Sequence, residues 1–300
     1  MIQGEAQVHL WPGEDKVDYD KALNGAGEQV LVPGIWNMAI DFNLSKPGDN
    51  DPSGAAPHPI LGDPRVRQAI SYAIDYDTLI NDVLNGQVKP STSPFAYGWY
   101  ECDIPRLYTF DAAKADQLLT EAGWVKGDDG IRVAKGALYA EDGTRLSLEL
   151  QGYTSYEPLE RTEQFIVENL KAIGVEAKIQ NYDFSIIFGS FADGSPRMTG
   201  DYDMLIFDRG YGLEPQGSVQ DSYSSANVPN ADNADGGNYF RWNNAKADEL
   251  IATAGSTFDQ AKRRDAYCQL GKLIQEDAVQ NYIYLFQDGY GFSSKLTGYV

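Results

Sequence analysis

The sequence predicts an α/β protein, and three observations carry that prediction. Leu146, Leu148 and Leu150 alternate as a strand, an apolar helical stripe of Phe165, Ile166, Leu170 and Ile173 follows, and a second strand runs over 175–179. Strand, helix and strand in that order favour a parallel pair joined by a right-handed crossover. Residues 61–86 read as an amphipathic helix pair, with Val66, Ala69, Ile70, Ala73 and Ile74 at helical spacing on one face. Residues 30–43 and 281–286 read as strands, the first placing Trp36, Met38, Ile40 and Phe42 on one side.

Each element has a local cause. Residues 1–30 are polar and carry little periodicity. Residues 45–59 form a loop rich in Pro, Gly and Asp, in which Asp49, Asp51, Ser53 and Gly54 sit at calcium-loop positions. Position 12 of that loop is Ile60 where a glutamate is required, which rejects an EF-hand. Asp63 caps the first helix and Pro64 suits its first turn; Asp77 is expected to cap the second, which carries Leu79, Ile80, Val83 and Leu84 and stops at Asn85-Gly86.

Residues 89–105 form a loop bearing Phe95, Tyr97, Trp99 and Tyr100. Aromatics there either pack on the domain beneath or face a ligand as a stacking platform. Asp111 caps a helix striped by Ala115, Leu118, Leu119 and Ala122, and Gly123 ends it. Asp-Gly pairs at 129–130 and 142–143 mark turns around a hairpin-like run. A strand over 203–207 leads to Asp208, Arg209 and Tyr211. Residues 213–241 have no apolar period and read as a surface excursion. Ala247, Leu250, Ile251 and Ala254 line one closing helix; Ala266, Leu270, Leu273 and Ile274 line another, capped by Asp259.

Three hundred residues with 42% hydrophobic and 12% aromatic content can bury a sizeable core. A formal charge of −20 argues against nucleic acid and anionic membranes, which select basic patches. No run approaches the ~18 apolar residues of a membrane helix. The first residues, MIQGEAQVHLWPGEDK, do not read as a signal peptide. Cys102 and Cys268 either pair or stay free. Without CxxC or paired histidines a zinc site is not expected, and no cofactor is called for.

The wording of several segments is more specific than their periodicity. The helix reading DPRVRQAISYAID resembles the D-x-R-V-R-x-A-[IL]-x-x-A-[IL]-D signature of the family 5 extracellular solute-binding proteins, components of ABC importers. IDFN at 40–43, YTFDAAKADQLLTEAGW at 108–124, GDYDMLIFD at 200–208 and NAKADELI at 244–251 follow in that family's order. The resemblance implies a periplasmic-binding-protein class II fold, two lobes joined by strand crossovers, with one lobe incomplete. The implied division is 1–35 as a first-lobe fragment and crossover, 36–280 as the second lobe, and 281–300 as the return crossover. MIQGEAQVHL is similar to the end of a first-lobe helix and the strand after it. Family members are exported, often lipid-anchored, and longer, so the chain reads as part of a longer sequence.

The implied function is capture of an oligosaccharide or peptide outside the cell, by a monomer that hands its ligand unchanged to a membrane permease. The expected ligand-binding residues are Trp36, Tyr97, Trp99, Asp208, Arg209, Tyr211, Asn238, Arg241 and Trp242. In peptide-binding relatives an aspartate after the GDYDM-type strand pairs the ligand's α-amino group. Aligned on Pro215, this chain has Tyr211 there, which favours a sugar, while Asp208 is the alternative amine anchor. Among enzymes, a Ser/His/Asp hydrolase would need His9 or His58 and has no GxSxG. A carboxylate-pair glycosidase could use Asp208 and Glu214, with nothing nearby to drive their pKa values apart. A scaffold or adhesion module is the third class.

Overall fold

Two long strands lie side by side through the molecule. The computed structural model describes residues 7–12, 16–51 and 54–298. In chain order the elements begin with β1 (Val8–Pro12), α1 (Lys16–Leu23) and β2 (Gly27–Phe42). Helix α2 (Pro64–Ala73) and the short α3 (Tyr76–Thr78) follow, the latter running into a π-helical turn, Leu79–Val83. Next come β3 (Lys89–Pro90), α4 (Ala112–Glu121) and the hairpin β4 (Trp124–Lys126) and β5 (Arg132–Ala134). The unit β6 (Ser147–Tyr153), α5 (Glu157–Ala172), β7 (Glu176–Tyr182) leads to α6 (Phe184–Ile187) and α7 (Pro196–Thr199). Strand β8 (Met204–Gly210), helices α8 (Gln216–Tyr223), α9 (Ala245–Gly255) and α10 (Gln260–Glu276), and β9 (Gln280–Ser293) complete it.

One mixed sheet has the order β1-β9-β2-β8-β6-β7, with β3 also on β9. The pairs β6–β7 and β6–β8 are parallel, and β2 is antiparallel to both β8 and β9. The two crossover strands expected from sequence are therefore neighbours, Val30 facing Tyr290 at one end and Asp41 facing Gln280 at the other. Their ladder is interrupted between Pro33 and Asn37. Pro33 has no N–H to give, so a break there sacrifices little.

Each face of the sheet carries a core. On one, Met38, Ile40 and Phe42 meet the α2 stripe (Val66, Ala69, Ile70 and Ala73) with Leu119, Leu150, Ile166 and Leu170. On the other, Ala39 and Tyr282 pack with Tyr223, Ala247, Leu250, Leu270 and Ile274 from α8, α9 and α10. Fully burying one such side chain is worth about 1.5–3 kcal/mol, so the helical stripes read from sequence are what fasten the helices to the sheet.

The caps hold with one change. Asp63 accepts from the Arg65 N–H, Asp111 from Lys114 and Asp259 from Ala261. After α2 the capping residue is Asp75, which takes the Thr78 N–H, and Asp77 lies inside the helix. Cys102 and Cys268 are joined as a disulfide. Residues 213–241 depart from expectation: they hold α8 and send Val219, Tyr223, Asn238 and Phe240 into the interior. Asn238 replaces apolar periodicity there, its amide donating to the Ser224 and Trp242 carbonyls and accepting the Trp242 N–H. The reading of residues 1–6 and the side chains of Ser53 and His9 lie outside the described residues.

Candidate functional site

Parallel strands gather their carboxyl ends at one edge, where open α/β sheets bind ligands. Here β6 ends at Tyr153, β7 at Tyr182 and β8 at Gly210, with Gly210 opposite Trp36 of β2. The edge therefore falls beside the interrupted stretch of β2. A side chain at 210 would put a Cβ 2.5 Å from the Ile35 carbonyl oxygen, so this approach requires glycine.

Aromatic rings floor the edge. Tyr153 stacks on Tyr156 at 6.1 Å and meets Phe184 and Phe188 at 5.8 and 5.9 Å. Phe184 remains 61% exposed and Trp36 47%. Asp208 stands among them, half-buried, accepting a 2.7 Å hydrogen bond from the Tyr153 hydroxyl. Arg197 lies over the rings of Phe188 and Tyr239, 4.8 and 4.4 Å from their centres.

Of the nine residues expected from sequence, Trp36 and Asp208 lie on this open edge. Tyr97 and Trp99 are half-buried and brace the turn after β8: the Tyr211 N–H donates to the Tyr97 hydroxyl at 2.7 Å, and Trp99 Nε1 donates to the Leu213 carbonyl at 2.7 Å. The other five are interior. Tyr211 is buried and bonds the Tyr223 hydroxyl, and Arg209 pairs with buried Asp41. Asn238 and Trp242 bond each other, Trp242 also reaching Asp277. Arg241 donates to the Met198 carbonyl and to Asn50. Each of the five has at least one internal hydrogen-bond partner, which accounts for its burial and removes it from the open edge, although Arg209 Nε is buried without one. Tyr153, Tyr156, Phe184 and Phe188 went unnoticed in the sequence. Their only signal was position at or just beyond the ends of two strands in a parallel unit.

Neither enzyme alternative gains support. Glu214 is gripped by Arg263, whose hydrogen bonds hold its carboxyl below the usual glutamate range and unsuited to donate a proton. His58 is buried, bonds Asp203 at 2.8 Å and accepts the N–H groups of Ile60 and Leu61, so it locks a loop. Among the described residues no group of three or more His, Cys, Asp or Glu gathers as a metal cluster. No described helix is long and apolar enough to cross a membrane.

Glu163 of α5 lies behind the floor, 1% exposed, accepting a 2.8 Å bond from Asn181. Its other oxygen occupies the place a Cβ on Gly152 would take. Burial raises its pKa to about 7, against the pull of the Asn181 bond and with Glu160 adding to the rise. An unfolded glutamate titrates near ~4.3, so between there and about 7 the folded protein holds a proton the unfolded chain has released. Stability should fall as pH rises through that window. Glu163→Gln should remove the fall, leaving the variant more stable than the parent at pH ~8 by on the order of 3–4 kcal/mol and nearly equal at pH ~4. Urea melts giving the same difference at both pH values would refute this.

Comparison with known proteins follows the same line. A family model described as bacterial extracellular solute-binding proteins, family 5 Middle, matches residues 1–230. The chain is 27% identical over 245 residues to the oligopeptide-binding protein AppA of Bacillus subtilis, covering 80% of this chain and 42% of that protein. It is 27% identical over 288 residues to the dipeptide-binding protein of Escherichia coli, covering 93% and 45%. The oligopeptide-binding protein of Thermus thermophilus, solved with a pentapeptide, matches in fold with a TM-score of 0.79 at 24% identity, over 100% of this chain and 50% of that one. The chain spans about half the length of the curated relatives it matches.

Proposed function

Since the chain belongs to the family 5 bacterial extracellular solute-binding proteins, we propose that it supplies about half of a peptide clamp serving an ABC importer. The fold is that of the periplasmic binding proteins with one lobe incomplete. On this reading β2 and β9 carry the chain between a first-lobe portion, residues 1–35 and 281–300, and a second lobe over 36–280. The clamp works outside the cytoplasm, lipid-anchored and monomeric, and passes its ligand unchanged to a membrane permease.

The observation that carries the reading is Asp208, a carboxylate among aromatic rings at the carboxyl end of β8. A carboxylate there suits the ammonium group of a peptide, which is costly to desolvate without a counter-charge, and the rings suit apolar side chains and the faces of peptide bonds. Closing the first lobe over this edge would exclude water and strengthen both contacts. The oligosaccharide reading rests first on Tyr211 in place of an acid, and Tyr211 is interior. The relatives named above are described as peptide binders, which adds to the case for a peptide.

Thermal shifts of the intact protein provide the test. Tetrapeptides with a free amino end should stabilise it by about 2.7 kcal/mol at one hundred times their Kd. Acetylating the amino end, or Asp208→Asn, should remove most of that shift. A shift with tri- to pentasaccharides and none with peptides would overturn the proposal, and no response to any ligand would favour a scaffold.

A further inference from the structure

One cation beside the aromatic floor lacks a bonded counter-charge among the described residues. Helix α7, which carries it, is fixed at both ends. The Ser195 hydroxyl donates to the Ile187 carbonyl at 2.7 Å. Gly200 closes the helix in the left-handed conformation, φ 70°, where a Cβ would collide with the Arg241 guanidinium. Arg241 in turn donates to the Met198 carbonyl at 3.0 Å. Arg197 therefore leaves a rigid turn, and two rings hold its guanidinium, Phe188 at 4.8 Å and Tyr239 at 4.4 Å.

Each other arginine donates to a carboxylate or a backbone carbonyl. Arg197 donates to neither among the described residues, in a chain where acids outnumber bases 44 to 24. The carboxylates that feel its charge are committed elsewhere, Asp41 to Arg209 and Gln280 and Asp221 to the Gly237 N–H. Burial lowers the Arg197 pKa, and Arg209 nearby adds to the fall against the pull of Tyr239 and Asp41. The charge is thus held against a desolvation cost that a counter-ion would offset. Its Nε is closed off from solvent while the residue is half-buried, which leaves the two terminal nitrogens as the open end of the group.

Two N–H donors on a fixed planar cation match a carboxylate, the anion a peptide carries. From these observations we infer that Arg197 takes a carboxylate of the bound peptide, from its carboxyl end or from an acidic side chain, while Asp208 takes the amino end. The two anchors lie along one row of rings. Asp208 bonds the Tyr153 hydroxyl, Tyr153 meets Phe188 at 5.9 Å, and Phe188 carries Arg197. These contacts limit the span to about five extended residues, within reach of a short peptide. A ligand with no carboxylate leaves the guanidinium unpaired when the site closes, and a neutral sugar satisfies neither anchor.

This inference rests on peptide binding as proposed above, and its test separates the two. Tetra-alanine, its carboxamide, and carboxamides carrying a single Glu or Gln at each position in turn would be titrated calorimetrically against the intact protein. If the carboxyl end is the partner, tetra-alanine should bind at least about tenfold tighter than its carboxamide. If a side chain is the partner, one Glu carboxamide should exceed its Gln counterpart by a similar factor. Either result supports the inference and names the source. Arg197→Gln should bring the favoured peptide within about twofold of its neutral counterpart; Arg197→Met serves if the first variant folds poorly. No carboxylate preference in the parent would overturn the inference, and so would a preference that survives the substitution. Failure of every peptide to bind would instead defeat the peptide reading.

Discussion

Replacing Cys102 and Cys268 by alanine should lower stability by about 3–5 kcal/mol, the range for cross-links that close long loops. The bond ties positions 166 residues apart. The unfolded chain therefore loses much freedom when it is present, and regains it when it is absent. The disulfide also fixes the aromatic loop on α10, where Phe95 stacks on Tyr267 at 5.3 Å and Tyr100 packs edge-on at 6.3 Å. Tyr97 and Tyr100 of that loop hold the Tyr211 and Gly212 backbone at the rim of the candidate site. Denaturant melts of the double variant, and of the parent with reductant, would measure the loss. A change below about 1 kcal/mol would mean that ring packing alone holds the loop. Such a bond also belongs to an oxidising compartment, as the proposed role requires.

Asp41→Ala should cost a similar amount, about 3–5 kcal/mol, for a different reason. Asp41 is fully buried on β2 and takes a charged hydrogen bond from Arg209 on β8 and an amide bond from Gln280 on β9. Gln280 accepts in turn from Tyr223, whose hydroxyl lies 2.8 Å from that of Tyr282. One carboxylate thus joins the three central strands. Removing it strands the Arg209 guanidinium in the interior, a penalty larger than the value of the pair itself. The double variant Asp41→Leu with Arg209→Met should recover most of the loss, because it leaves no charge unpaired. Urea melts of the single and double variants would check this. Equal losses in both would show that shape at this position, and not charge, governs stability.

Elements built by repetition were legible in the sequence. Val66, Ala69 and Ile70 announce α2 by spacing alone, and the alternating Leu146, Leu148 and Leu150 announce β6. The pairing of β2 with β9 was reached only through the resemblance, since alternation marks a strand without naming its neighbour. The site was harder to read. Asp208 could be found because it closes a recognisable strand. Tyr211, Asn238 and Trp242 looked like cleft residues because their side chains are polar or amphipathic, yet each finds its hydrogen bonds inside the fold. Residue type records what a side chain can bond to, not where its partners are. Residues 213–241 failed for the related reason that Asn238 does by hydrogen bonding what apolar periodicity does elsewhere.

The pairing of β2 with β9 has a consequence for modularity. The chain enters the body of the fold on one strand and leaves it on the adjacent one, with Val32 opposite Asp288 and Pro33 opposite Gln287. Opposed residues of an antiparallel pair lie only about 4.5–5.5 Å apart at their Cα atoms. Everything between is thus an insertion whose two attachment points nearly touch, the geometry in which domain insertion is best tolerated. A host strand pair needs to open by one short connection to accept it, and the loop-closure entropy of the graft is already met by its own sheet. Residues 34–286 should therefore graft as a unit into another paired-strand scaffold, carrying the aromatic floor and Asp208 with them.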